Sequence, residues 1–125
     1  MDENLYLDFI LEHYKNPRNF GTIEHAQVDE KGSNTSCGDE IELYLKINNN
    51  VVEDVKFYGK GCAISQASAS ILTELIKGKT LEELDNFKSE DLLKELGITL
   101  TPVRLKCALL SYEVLKRGLE KYRKL

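Results

Sequence analysis

The sequence predicts an α+β domain: one helix, then a small antiparallel sheet, then helices that pack on it. Three observations point there. Residues 41–47 alternate apolar and polar side chains, Asn48-Asn49-Asn50 follows, and an extended stretch returns from residue 51 to 58. Helical spacing of apolar residues marks the segment before that hairpin. Cap and stop residues divide the chain after residue 62 into helical pieces.

Residues 2–15 carry Leu5, Tyr6, Phe9, Ile10 and His13 at helical spacing, and Asn16-Pro17 stops that helix. His13 falls on the apolar face and is expected to be structural. The loop Asn16-Pro17-Arg18-Asn19-Phe20-Gly21 consists of turn formers around one aromatic. Residues 23–30 read as a short strand with His25 at its edge. The strand Ile41–Ile47 places apolar side chains at every odd position, and the returning strand sets Val55 and Phe57 on one face. The hairpin is expected to have one packed face and one wet face.

Ala63 to Ile76 reads as a helix with a stripe of Ile64, Ala67, Ile71 and Leu75, ending at Lys77-Gly78. Ser65, Ala67, Ser68, Ala69 and Ser70 are small enough to bring it close to the sheet. Thr80 and Glu83 form a capping box for a short helix. Ser89 is the expected cap of another, which ends at Gly97. Thr101 as cap and Pro102 as first residue begin the last helix. Its expected buried stripe is Leu105, Ala108, Leu109, Tyr112, Leu115, Leu119 and Tyr122. Tyr6, Phe9 and Phe20 read as anchors of the first helix and its loop, or as part of a docking surface. Lys116, Arg117, Lys121, Arg123 and Lys124 read as a solvated face complementing the dipole of that helix.

With 125 residues and neither repeat nor interdomain linker, residues 1–125 read as a single domain. Apolar residues make up 42% and charged residues 30%, as in an ordinary globular protein. A net charge of −4 without a basic stretch argues against a nucleic-acid binder. No apolar run has the length of a membrane span, and the start Met1-Asp2-Glu3-Asn4 lacks a signal-peptide layout. A cytoplasmic location is expected, where cysteines serve as metal ligands, reactive thiols or packing groups rather than disulfides.

The three cysteines stand in suggestive places. Cys37 lies in Asn34-Thr35-Ser36-Cys37-Gly38-Asp39, a turn-like stretch with a carboxylate two residues on. Cys62 follows Tyr58-Gly59-Lys60-Gly61 at a helix start, where unpaired amides favour a thiolate. Cys107 lies in the last helix, with Arg104 and Lys106 near enough to favour its thiolate. Each is expected to be exposed. Three thiolates and the Asp39 carboxylate would make a four-ligand metal site if the fold gathers them. Intervals of 24 and 44 residues match no zinc-finger spacing, so the residues alone leave packing cysteines open. A cysteine hydrolase would need a histidine base, and neither His13 nor His25 is placed for that.

The chain resembles the IscU/NifU-type family of iron–sulfur cluster assembly scaffolds over nearly its whole length. The resemblance rests on Tyr14-Lys15-Asn16-Pro17-Arg18-Asn19-Phe20-Gly21, Ser36-Cys37-Gly38-Asp39, Val52-Glu53-Asp54-Val55-Lys56-Phe57, Gly59-Lys60-Gly61-Cys62-Ala63-Ile64-Ser65 and Pro102-Val103-Arg104-Leu105-Lys106-Cys107-Ala108. It implies a SufE/NifU-like architecture, a three-stranded antiparallel sheet with helices packed on it, and the cysteines at one exposed end. It also implies a function. A cysteine desulfurase delivers persulfide sulfur, an iron donor supplies iron, and a transient 2Fe–2S cluster passes to apo-protein acceptors. Carried over by position, Cys37, Asp39, Cys62 and Cys107 would be the ligands, Cys107 the persulfide acceptor and Asp39 the labile ligand. An oxygen donor holds such a cluster less firmly than a fourth thiolate. Tetrahedral zinc suits the same set.

Two departures from IscU qualify the resemblance. Lys106 stands where IscU carries a histidine, and Leu100-Thr101-Pro102-Val103-Arg104 replaces the Leu-Pro-Pro-Val-Lys read by a dedicated chaperone. Chaperone recognition is therefore not implied. Lys106 and the run Gly61–Ser70 are instead similar to SufU, a zinc-dependent sulfurtransferase that takes sulfur from its desulfurase. SufU carries an insertion before its last helix, for which Lys77–Pro102 is too short. Two readings result: a non-enzymatic scaffold or carrier, and a SufU-like sulfurtransferase. A purely structural zinc domain would be expected to use a fourth thiolate or histidine.

Overall fold

The computed structural model describes residues 3–124. Its elements are α1 (Glu3–Lys15), β1 (Val28–Asn34), β2 (Asp39–Asn48), β3 (Val51–Lys60), α2 (Ala63–Ile76), α3 (Leu81–Asp85), α4 (Ser89–Leu96) and α5 (Pro102–Arg123). The strands form one antiparallel sheet in the order β1-β2-β3. α2 and α5 pack side by side on one face, α5 over β1 and β2 and α2 over β3, while α1 lies against α2. The expected α+β architecture with a three-stranded antiparallel sheet is the one observed. The expected start of the first helix, residue 2, lies outside the described residues.

Alternation along β2 buries Ile41, Leu43, Leu45 and Ile47 against the helices. The chain turns at Asn49 and Asn50, both left-handed at φ 54° and 62°. That pair suits a type I′ hairpin turn, and asparagine tolerates the conformation better than most residues. A register shift follows, since Lys46 pairs with Asp54 but Ile47 with Val52. The extra residue changes the parity of β3, so Val52 joins Val55 and Phe57 in the core.

β1 runs later than the sequence predicts. Residues 23–27 do not form the expected strand, and His25 is a turn residue at φ 59° rather than a strand edge. The pairing residues are 28–34, of which only Val28 is an inward apolar side chain. Glu30 also points inward and is held by Lys121 Nζ at 2.9 and 3.1 Å. A Cβ on inward-facing Gly32 would stand 2.7 Å from Val114, so α5 crosses close to the backbone there. With Glu and Gly at inward positions, hydrophobic periodicity cannot reveal this strand.

α2 has the expected bounds but is buried nearly all round, between the sheet, α1 and α5. Ile64 and Leu75 of the expected stripe are only half-buried, while Ala69, Leu72 and Ile76 are fully buried. Its small polar residues fit because their hydroxyls find partners. Ser68 donates to the Ala108 carbonyl at 2.6 Å, and Ser65 donates to that of Cys62 at 3.0 Å. Ser70 Oγ accepts the Arg18 N–H at 2.8 Å and lies 2.7 Å from His13 Nδ1. The Glu74 carboxylate 3.5 Å from Nε2 favours a proton on that nitrogen, with Nδ1 then accepting from the Ser70 hydroxyl. Burial, then the nearby Arg18 charge, hold the His13 pKa below its ordinary value. His13 is structural, as expected.

Thr80 and Glu83 form the expected capping box of α3. α4 differs by one residue. Ser89 is its first helical residue, and Lys88 is the cap, its N–H bound by Asp91 Oδ2 at 2.8 Å. Gly97, left-handed at φ 67°, ends that helix. Thr101 Oγ1 accepts the Arg104 N–H at 3.4 Å to open α5. The stripe expected on α5 is only part of what is buried. Ala108, Leu115 and Leu119 are buried, but Leu105, Leu109, Tyr112 and Tyr122 are only partly so. A second stripe, Cys107, Leu110, Ser111, Val114 and Gly118, is buried as well. A helix wedged against a sheet and other helices needs both, and a single amphipathic stripe does not anticipate that. Among the described residues, no helix is long and apolar enough to cross a membrane.

Candidate metal centre

The fold brings all four candidate ligands to one end of the sheet. Cys37 lies in the β1–β2 connection, a tight turn closed by its N–H to the Asn34 carbonyl at 3.2 Å. Gly38, at φ 71°, turns the chain back into β2. Asp39 is the first residue of β2 and is 1% exposed. Cys62 follows β3 as the N-cap residue of α2, with extended φ and ψ of −70° and 161°. Cys107 comes from the second turn of α5.

The distances tie these pieces together. Cys107 Sγ lies 3.0 Å from Cys37 Sγ. One donor atom each from Cys37, Asp39 and Cys107 falls within 4.8 Å of the others. Cys62 joins them through Asp39, whose Oδ2 is 3.8 Å from Cys62 Sγ. The other oxygen, Oδ1, accepts the Cys62 N–H at 2.8 Å. The first turn of α2 contains no acidic residue of its own, so Asp39 supplies from the sheet the carboxylate that a helix start favours. One oxygen is thereby anchored and the other is left to face the sulfurs.

The expectation of exposed thiols fails at Cys107, which is 0% exposed, while Cys37 and Cys62 are half-buried. Burial first, then the side chains of Cys37, Asp39 and Cys62, push the Cys107 thiol up from its ordinary pKa. Arg104 and Lys106 are exposed to solvent, and what dominates the thiol is its burial. A cation bound among the sulfurs would favour their thiolates, because metal binding releases thiol protons. The chemistry of three sulfurs and one oxygen suits a tetrahedral ion, and while Cys37, Asp39 and Cys107 lie within 4.8 Å of one another, Cys62 meets the group through Asp39 Oδ2. The same donor set fits one or both irons of a small cluster.

Asn34 is a site residue the sequence reading missed. Its Nδ2 donates toward Cys107 Sγ at 3.7 Å, across 73 residues of chain. Nothing in the spacing of the motifs signals that contact; only the position of Asn34 in the turn before Cys37 is legible.

The sequence model of the NifU-like N-terminal domain family matches residues 5–125. The zinc-dependent sulfurtransferase SufU of Bacillus subtilis is 38% identical over 136 aligned positions, covering 95% of this chain and 92% of that protein. The iron–sulfur cluster assembly scaffold protein IscU of Thermotoga maritima is 42% identical over 134 positions, covering 94% of each. Both alignments exceed the 125 residues of this chain, so each relative carries residues without a counterpart here. A crystal structure of a candidate cluster assembly scaffold of the SUF system from Fervidobacterium islandicum AW-1 superposes with a TM-score of 0.78 at 36% identity. It covers 95% of this chain and 99% of that one.

Proposed function

We propose, because the chain belongs to the NifU-like N-terminal domain family, that it is a scaffold on which a 2Fe–2S cluster is assembled and from which it is handed on. The observation that carries this reading is the convergence of three thiols and one carboxylate from the hairpin turn, the start of β2, the start of α2 and α5. Sulfur arrives as persulfide from a cysteine desulfurase, iron joins it, and apo-proteins are the acceptors, all within the cytoplasm. Cys37, Cys62 and Cys107 hold the cargo. Cys107 takes up the sulfur, and Asp39 is the ligand that lets go. Anchored at Oδ1 by the Cys62 N–H, Asp39 presents a single hard oxygen, which binds iron less firmly than a thiolate would.

The relationship to a zinc-dependent sulfurtransferase favours a second reading, in which the same four side chains hold zinc and the protein accelerates a desulfurase without building a cluster. Zinc would supply a positive charge that keeps the sulfurs deprotonated.

Cluster transfer separates the two. The protein is incubated anaerobically with iron, cysteine and a desulfurase, re-isolated, and mixed with an apo-ferredoxin. Holo-ferredoxin forming faster than from free iron and sulfide supports the scaffold. No cluster, tightly held zinc and a desulfurase whose acceleration is lost on chelation support the sulfurtransferase.

A further inference from the structure

We propose that Asn34 is a positioning residue for sulfur uptake at Cys107, an inference that rests on the reading of Cys107 as the sulfur acceptor. Asn34 touches three of the four site residues. It pairs with Asp39 across the β1–β2 ladder, its carbonyl accepts the Cys37 N–H at 3.2 Å, and its side-chain amide reaches Cys107 Sγ at 3.7 Å. One side chain thus ties the turn that carries Cys37 to the helix that carries Cys107.

The surroundings of Cys107 Sγ show why the amide matters. Cys37 Sγ lies at 3.0 Å and the Val103 carbonyl at 3.5 Å. The carbonyl oxygen can only accept a hydrogen bond, and it draws the sulfur back along its own helix. The Asn34 amide can only donate through Nδ2, and it draws the sulfur toward the site. It therefore stabilises sulfur as the attacking group and aims it away from Val103. In the uptake step, the Cys107 thiol gives up its proton to solvent and the resulting thiolate, hydrogen-bonded by Asn34, attacks the outer sulfur of a donor persulfide, R–S–SH. A Cys107–S–SH bond forms, the S–S bond of the donor breaks, and R–S⁻ leaves. No net oxidation or reduction occurs. Losing the donor leaves less of the sulfur ionised but makes each thiolate more nucleophilic, and the two effects partly cancel, so this step slows roughly threefold to tenfold.

Asn34→Asp keeps the shape and the backbone bonds while replacing the donor with an acceptor, and Asn34→Leu removes the donor without adding charge. Glutathione persulfide serves as the sulfur donor, and mass spectrometry of the Cys107 peptide gives the rate of uptake. Cobalt(II) loading gives the sulfur-to-metal charge-transfer band. Both variants are expected to take up sulfur at Cys107 more slowly, by roughly threefold or more. Their cobalt bands should move to lower energy while far-UV circular dichroism is unchanged. Uptake at the wild-type rate with an unshifted band overturns the proposal. Loss of fold in both variants also overturns it, assigning Asn34 to the turn alone. A wild-type protein that takes no sulfur at Cys107 counts instead against the acceptor role itself, and the cobalt band still tests Asn34.

Discussion

A Cβ placed on Gly61 would stand 2.2 Å from Oδ1 of Asp39. The backbone of Gly61 is also at φ 136°, a conformation L residues rarely adopt. The glycine before Cys62 is thus what lets Asp39 reach the start of α2. Gly61→Ala should displace Asp39, weaken zinc binding by an order of magnitude or more, and cost about 2 kcal/mol of stability. Competition with a chromophoric chelator and urea unfolding measure the two effects. Wild-type zinc affinity in Gly61→Ala would show that the close approach is dispensable.

Asp39→Ala and Asp39→Asn separate the two oxygens. Asparagine can still accept the Cys62 N–H but presents a neutral group to the metal, whereas alanine does neither. Both variants should release a cluster to apo-ferredoxin more slowly than wild type, because the labile ligand is gone. Only Asp39→Ala should also lose stability, by about 1–2 kcal/mol, for the unpartnered N–H. Cluster lost faster from Asp39→Ala than from wild type would refute the role proposed for this residue.

Ser70→Ala removes the hydroxyl shared by His13 and the Arg18 backbone. Two buried groups then lose a partner, and destabilisation of about 1–3 kcal/mol is expected in urea unfolding. The motif at stake is the Asn16–Gly21 loop, which also pairs with the edge of β3 through Asn19 and Gly21.

The pH profile of stability carries two contributions of opposite sign. His13 has a lowered folded pKa, so its contribution is present above the ordinary value of 6.5 and is lost as pH falls below it. Asp29 is raised from 3.8 to about 6, chiefly by partial burial of its carboxyl, then by a hydrogen bond with Glu42 and by the Glu42 and Glu30 charges. Its contribution is complete below 3.8 and is lost as pH rises through about 6. Asp29→Asn should therefore raise the Tm at neutral pH and leave the acid-side loss from His13 in view. An unchanged profile in thermal denaturation would place the Asp29 effect within solvent screening.

Sequence patterning revealed the β2–β3 hairpin, the bounds of α2, and the starts of α3 and α5, because each is governed by local rules of alternation and capping. β1 was displaced because its inward side chains are Val28, Glu30 and Gly32, and only one of them is apolar. The buried face of α5 was only partly seen because Cys107, Ser111 and Gly118 do not register as core residues until a sheet covers them. The four candidate ligands could be named from their turn and cap settings. Their grouping rested on a resemblance, since no local rule places Cys37 beside Cys107. The burial of Cys107 and the reach of Asn34 are tertiary facts with no local signature.

Because Cys107 sits on the last described helix, its distance along the chain from Cys37 orders events at the ribosome. The hairpin, Asp39 and Cys62 are synthesised first, and small units of this kind can form during synthesis. An incomplete chain ending before α5 would own two thiols and one carboxylate but no enclosure around them. Iron met at that stage would find an open, weak site. All four donors are present in one chain only once α5 has been synthesised.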